Sequence, residues 1–173
     1  MMVDILSQDE GEPASYPTVA DGLSLEAALI EPAIVWRRLE DWITARWGER
    51  TVVWTVQGPG TFSPPLGPAT ITAREVWNGS AWEAVTLEPT PLGEELHARV
   101  YKITATVGST DTPPETVLEA YRRLAAYMAE ANADPARGHT SVSDGDFSFS
   151  RPASWAARAL HLSGAADLLR SFR

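Results

Sequence analysis

The sequence predicts an α+β fold: two main α-helices packed with a small antiparallel β-sheet, plus an extended C-terminal arm with short helical segments. Two segments carry apolar residues at three- and four-residue intervals, the pattern of a helix with one buried face. Between them apolar and polar residues alternate, which is typical of strands. The chain has 173 residues, 44% of them hydrophobic, which is enough for one domain-sized core.

The first helix is predicted over residues 32–47. Pro32 suits the first turn of a helix, where its missing N–H leaves no bond unmade, and Gly48 is a suitable stop. Just before it, Ser24 is placed to cap a short turn over residues 25–30. The helix carries one apolar stripe, whose tryptophans we assign to the core; its members are Val35, Trp36, Leu39, Trp42, Ile43 and Trp47.

Alternating and β-branched residues after this helix predict an antiparallel sheet. Asn78-Gly79 is a strong hairpin signal, because both residues tolerate positive φ, and the hairpin brings Trp77 close to Trp82. Residues 58–68 carry four prolines and three glycines and are predicted to form a loop. The predicted strands span residues 51–57, 70–77, 81–87 and 96–107.

The second main helix is predicted to begin after Thr112, which is followed by two prolines and a glutamate, and to end near Ala131. Residues 132–150 are polar and contain glycine, so they are predicted to be irregular. A short helix is predicted over residues 154–162, and a last turn or two over residues 165–172 after a Ser-Gly break.

The charge of the chain is concentrated at its ends. The 14 Lys and Arg residues and 23 Asp and Glu residues give a net charge of −9. Residues 1–31 contain seven acids and no base, whereas residues 151–173 carry four arginines against one aspartate. We therefore divide the chain into an acidic N-terminal arm with its first turn (1–31), a helix–sheet–helix core domain (32–131), a flexible loop (132–150) and a basic C-terminal tail (151–173).

The residues that catalysis and metal binding need are missing or badly placed. The chain has no cysteine, which excludes disulfides, thiolate metal sites and cysteine nucleophiles. The three histidines are scattered, and a Ser, His and Asp crowded into one loop do not make a rigid triad. No apolar run is long enough for a membrane helix. We expect no enzyme activity, no cofactor, no metal and no membrane partner.

One alternative function is a binding module. Trp54, Trp77 and Trp82 all lie on predicted strands, where they could form an aromatic platform for carbohydrate or single-stranded nucleic acid. The net charge of −9 argues against a large duplex-binding surface.

The C-terminal tail is too apolar to be a solvated end. Its large side chains must pack either on the core of this chain or on a partner, and a long polar tether before them favours the partner. The candidate partner-binding residues are apolar anchors and arginines: Arg151, Trp155, Arg158, Leu160, Leu168, Leu169, Arg170, Phe172 and Arg173.

The order of motifs resembles the head–tail connector (adaptor) proteins of long-tailed bacteriophages and gene transfer agents. A helix is followed by Arg50 to Trp54, a Pro/Gly loop, Pro68-Ala-Thr-Ile, Trp77-Asn-Gly and a strand ending in Val107-Gly108. Then come Pro113-Pro-Glu-Thr-Val-Leu-Glu-Ala-Tyr-Arg-Arg-Leu and, near the end, Ser163-Gly-Ala-Ala-Asp-Leu-Leu-Arg. The resemblance covers most of residues 32–173.

The resemblance implies a structural virion protein at the head–tail interface, assembled in the bacterial host cytoplasm. Such adaptors form a ring of twelve copies beneath the portal protein, extend the DNA exit channel and receive the stopper or tail completion protein. DNA passes through the channel without sequence-specific binding. In the family the C-terminal segment docks on the portal, which assigns that role here to residues 151–173.

Overall fold

The structure is a computed structural model that describes residues 3–19, 21–133, 141–144, 147–150 and 158–173. Its internal contacts divide the chain into two compact units. The first unit contains Met1–Ser15 and Thr44–Asp111, and the second contains Tyr16–Ile43 and Thr112–Arg173.

The first unit is built from eight strands in two antiparallel sheets. The strands are β1 (Asp4–Glu10), β2 (Arg50–Gln57), β3 (Gly60–Phe62), β4 (Ala69–Trp77), β5 (Trp82–Ala84), β6 (Glu88–Thr90), β7 (Gly93–Leu96) and β8 (Val100–Val107). The larger sheet has the order β1-β2-β8-β4-β5, and the smaller one has the order β3-β7-β6. The register shifts once in the pairing of β1 with β2 and once in that of β4 with β8.

Alternation along the central strands builds the core of this unit. In β8 every second residue from Tyr101 to Val107 is buried, as expected when one face of a strand meets a core. Trp54 on β2 is fully buried, and its indole Nε1 donates a hydrogen bond to Gln8 Oε1 at 2.8 Å. The smaller sheet contributes Phe62, whose ring centroid lies 5.8 Å from that of Trp54. Both sheets therefore share one apolar cluster.

A buried ion cluster fixes β1 to the rest of the first unit. Glu10 Oε1 accepts hydrogen bonds from Arg46 Nε at 2.8 Å and from Arg50 Nη1 at 2.9 Å. The Arg50 side chain is fully buried and also donates to the carbonyls of Trp47 and Gly48. Burial alone would raise the pKa of the Glu10 carboxyl, but the hydrogen bonds and charges of the two arginines outweigh it and hold that pKa below its ordinary value.

The second unit is mainly helical. Trp36 is fully buried in this unit. Its ring centroid lies 6.2 Å from that of Tyr16, with the two rings stacked, and 5.0 Å from that of Tyr121. The indole Nε1 donates a hydrogen bond to the carbonyl of Pro17. The elements are α1 (Leu25–Ala28), α2 (Pro32–Glu40), α3 (Glu115–Ala133), the paired strands β9 (Ser141–Asp144) and β10 (Phe147–Ser150), α4 (Ala159–Leu162), α5 (Ala165–Leu168) and a 3₁₀ turn (Arg170–Phe172). The long helix α3 contacts every other described α-helix of the unit.

The predicted fold class, two main helices on a small sheet, is wrong. Strand residues outnumber helical residues, and α3 is the one long helix among the described elements. Part of the missing sheet comes from β1, which lies within the predicted acidic arm. Its residues are almost all exposed, so no apolar alternation marked it as a strand.

The first predicted helix ends at Glu40 and not at Trp47. Its start at Pro32 is confirmed, as is the Ser24 cap of α1. Beyond Ile43 the chain becomes extended, because Ala45 bridges to Gly67 and Trp47 bridges to Ser109 within the first unit. Ile43 and Trp47 are buried even though the chain is not helical there. The bridges of Ala45 and Trp47 to distant residues therefore outweigh the helical periodicity of the sequence.

The predicted loop over residues 58–68 contains β3, and the predicted strand over residues 96–107 is divided between β7 and β8. Proline is compatible with the smaller sheet, because Pro89 lies in β6 at the edge of that sheet, where a missing N–H is tolerated.

The smaller sheet also requires a glycine at the start of β7. Gly93 has φ +137°, and a Cβ there would lie 2.0 Å from the carbonyl oxygen of Phe62, so a larger residue would not fit without a backbone shift.

Candidate partner-binding site

The predicted site lies in the C-terminal tail, of which the structure describes residues 158–173. Arg151 and Trp155 lie outside the described residues. The other predicted residues, Arg158, Leu160, Leu168, Leu169, Arg170, Phe172 and Arg173, belong to α4, α5, the 3₁₀ turn and their caps.

A left-handed glycine turn shapes this segment. Gly164 separates α4 from α5 with φ +76°, a conformation that L side chains rarely adopt, as the Ser-Gly break predicted. Both short helices contact α3. The small side chains of Ala159 in α4 and Ala165 in α5 are buried, which allows these helices to lie close to α3. Leu169, just after α5, is fully buried as well. The described part of the tail therefore folds back on the second unit of its own chain.

The segment also packs on Trp42, just after α2. The His161 ring meets the Trp42 ring edge-on, with 4.8 Å between their centroids. The Arg173 guanidinium carbon lies 4.2 Å from the centroid of the same ring, a cation–π contact. The indole Nε1 of Trp42 is buried and has no hydrogen-bond partner among the described residues.

The predicted anchors differ in their exposure. Leu169 is fully buried, whereas Leu160, Leu168 and Phe172 are half-buried. Leu162 is the most exposed leucine of the described tail, at 51%.

The arginines of the described tail segment are exposed. Arg158, Arg170 and Arg173 are all exposed, and Arg170 Nη2 pairs with Asp167 Oδ1 at 2.7 Å on the surface. A partner could meet Leu162 and the arginines without any rearrangement. Contact through Leu169 requires this buried side chain to become exposed.

The aromatic platform is not present as predicted. Trp54 is fully buried and cannot share an exposed face with the other two tryptophans. The hairpin prediction for Trp77 and Trp82 is confirmed, with their ring centroids 5.3 Å apart. Lys102 Nζ lies 5.0 Å from the centroid of the Trp82 ring and pairs with Glu75 Oε2 at 2.7 Å, so one side of this pair is already occupied.

The described residues contain no group of three or more His, Asp or Glu side chains placed to hold a metal ion. In the same residues, no helix combines the length and apolar character of a membrane span.

Sequence reasoning missed a second exposed surface at α1. Leu25 is 85% exposed and Leu29 is 87% exposed, whereas Ala27 between them is buried. Leu25 and Leu29 stand four residues apart, on one side of the turn. The sequence did contain an indication of this surface. A single short helical turn that buries Ala27 must leave Leu25 and Leu29, on its opposite side, exposed.

Comparisons with protein families, with curated proteins and with solved structures find no match for this chain.

Proposed function

We propose that this protein is a structural subunit of a phage-type head–tail connector (adaptor) ring. In this role it docks on the portal protein, extends the DNA exit channel and receives the stopper or tail proteins. The observation that carries the proposal is the seating of the C-terminal segment: its short helices contact α3, Leu169 just after them is fully buried, and Arg158 and Arg170 are exposed.

The contacts of the segment set the cost of moving it to a partner. Burial of Leu169 contributes about 1.5–3 kcal/mol, and the Arg173 contact with Trp42 adds about 0.5–2 kcal/mol. Buried Ala159 and Ala165 add to this cost. A partner groove that accepts Leu169 and pairs the arginines offsets the cost of detachment. A segment that is first seated on its own chain and then handed to a portal avoids exposing apolar surface before assembly.

The net charge suits a channel that must not retain DNA. Twelve copies at −9 each give a ring about −108 in charge, which repels a passing phosphate backbone. Described arginines such as Arg46 and Arg50 are engaged with Glu10 inside the first unit and so are not presented to a phosphate backbone.

Native mass spectrometry of the chain mixed with the portal protein encoded beside it tests the proposal. We expect a stoichiometric ring complex with the full chain and none after deletion of residues 151–173. The variant R158E/R170E keeps buried Leu169 in place and is expected to weaken the complex. The exposed Arg38 on α2 supplies the matched control R38E, which should bind as the full chain does.

The outcomes separate the parts of the proposal. A complex that survives deletion of residues 151–173 overturns the docking role of the tail. A full chain that forms no complex with the portal under any ratio overturns the connector function itself.

A further inference from the structure

The first unit has one long strand whose outer side pairs with no other strand of the described residues. β1 pairs with β2 and ends the larger sheet, so the backbone N–H and C=O groups on its other side lack a strand partner there. We call this outer side of Asp4–Glu10 the β1 edge. Six of the seven residues are exposed, including Ile5 at 45% and Leu6 at 55%.

The other sheet edges of the first unit are protected against pairing with another chain. The described edge strands β3, β5 and β6 have three residues each, and β6 also contains Pro89. Short strands and prolines are common protections of a sheet edge. β1 has neither, although it carries acids and one register shift near Leu6. Its length therefore makes the β1 edge the best template for a further strand.

Side chains hold β1 in place in addition to its backbone pairing. Gln8 Oε1 accepts a hydrogen bond from the indole of buried Trp54, and Glu10 pairs with Arg46 and Arg50. A strand fixed in this way is already ordered, so a partner that pairs with it does not have to offset the ordering entropy of β1. Preorganisation therefore favours the addition of a strand at this edge.

The charge of β1 points to the chemistry of its occupant. Asp4 and Asp9 pair with Gln57 and Val53 of β2, which alternate with buried residues of that strand. Directly paired residues share a face of the sheet, so both aspartates lie on the face away from the core. An incoming strand with cations on this face complements them, whereas β1 of a second copy sets carboxylate against carboxylate.

We propose that an extended segment of a partner protein, with lysine or arginine on one face, pairs with the β1 edge as a sixth strand of the larger sheet. Main-chain hydrogen bonds supply the affinity, and Asp4 and Asp9 select the cationic side chains. Gln57 and Val53 stand four residues apart on β2. A regular strand therefore places two cations four residues apart to meet the two aspartates.

This inference goes beyond the proposed connector function and does not rest on it. It uses residues of the first unit and leaves residues 151–173 to the portal protein. A chain that adds a strand but never binds a portal keeps the β1 edge and removes the connector function. A portal complex formed by a chain that adds no strand does the reverse.

A labelled peptide tests the main-chain part of the proposal. The probe is an eight-residue peptide of threonine and valine with lysines at its second and sixth positions. We expect saturable binding by fluorescence anisotropy and slower amide exchange over residues 4–10 in the complex. The matched probe has every backbone amide N-methylated, so it keeps both charges but has no main-chain donors, and it should bind about tenfold more weakly. Equal affinity of the two probes, or unchanged exchange in β1, overturns the proposal.

Charge reversal tests the selection of cations. The variant D4K/D9K is expected to bind the unmethylated lysine probe about tenfold more weakly than the native chain, because like charges then meet across the new strand pair. The control E88K/E95K changes the net charge by the same amount at exposed glutamates of the smaller sheet and should bind as the native chain does. Circular dichroism checks that both variants are folded. Equal losses in the two variants overturn the proposal, because net charge alone then explains the binding.

A second copy of this chain is the competing occupant of the β1 edge. A peptide with the sequence of residues 4–10 tests it, since it reproduces the strand that a second copy would add. We expect this acidic peptide to bind about tenfold more weakly than the lysine probe, because its carboxylates meet those of β1. Tighter binding of the acidic peptide assigns the edge to self-pairing and overturns the proposal.

Discussion

The Arg173 guanidinium lies over the Trp42 ring, 4.2 Å from its centroid, and this contact joins the C-terminal segment to the chain just after α2. His161 meets the same ring edge-on. A cation–π contact contributes about 0.5–2 kcal/mol, depending on how far it is desolvated. Together with buried Leu169, Trp42 decides how firmly the segment rests on its own chain.

The variant R173A is therefore expected to loosen the segment without unfolding the unit. Loss of about 1 kcal/mol corresponds to roughly fivefold faster amide exchange over residues 165–172, since local opening governs that exchange. Hydrogen–deuterium exchange with mass spectrometry measures it. R170A is the matched control, because its ion pair with Asp167 is on the surface and contributes little. Equal exchange in both variants contradicts the role of Trp42.

The variant E10Q is expected to destabilise the chain by about 3–5 kcal/mol, because it removes a buried negative charge with which both Arg46 and Arg50 pair. Urea unfolding followed by tryptophan fluorescence measures the loss. The neighbouring Asp9 is exposed on the same strand, so D9N should change stability by less than about 0.5 kcal/mol. A similar loss for D9N and E10Q would show that the ion cluster does not fix β1.

The lowered pKa of Glu10 also predicts how stability depends on pH. The folded-state pKa lies below the ordinary value of 4.5, so the unfolded chain binds this proton first as the pH falls. The contribution of Glu10 is complete above that ordinary value and is lost as the pH falls through the folded pKa. Urea midpoints between pH 6 and pH 3 should decline more steeply for the native chain than for E10Q. Parallel declines would contradict the shift.

The two kinds of tryptophan in the first unit should respond differently to truncation. Trp54 is fully buried, and W54A is expected to cost about 3–5 kcal/mol through the cavity that it leaves. Trp77 is 40% exposed on the hairpin, and W77A is expected to cost about 1 kcal/mol. Thermal unfolding by circular dichroism compares them. Equal losses would place Trp77 in the core as well.

The elements that neighbouring residues determine were predicted correctly from the sequence. Asn78 and Gly79 determine a hairpin by their own backbone preferences, and the Asn78 side chain accepts hydrogen bonds from the backbone N–H groups of Ser80 and Ala81. Pro32 begins α2 for a similarly local reason. These elements are formed where the sequence places them because no distant residue is needed to make them.

Long-range pairing decided the elements that sequence reasoning missed. Trp47 continues the apolar stripe of α2, but its backbone bridges to Ser109, which no periodicity of residues 32–47 reveals. In the sequence Glu10 is one of seven acids in the acidic arm, and nothing distinguishes it from the others. Only the folded chain shows that it pairs with Arg46 and Arg50. The same holds at the candidate site, because the spacing of the tail residues does not show that Leu169 is buried on its own chain while Leu162 stays exposed.

Neither unit of this protein is one continuous stretch of chain: the boundaries fall after Ser15, after Ile43 and after Asp111. A single crossover between related genes therefore cannot exchange one unit and keep the other intact. A crossover at any of these three boundaries leaves at least one unit with segments from both parents, so the two units vary together.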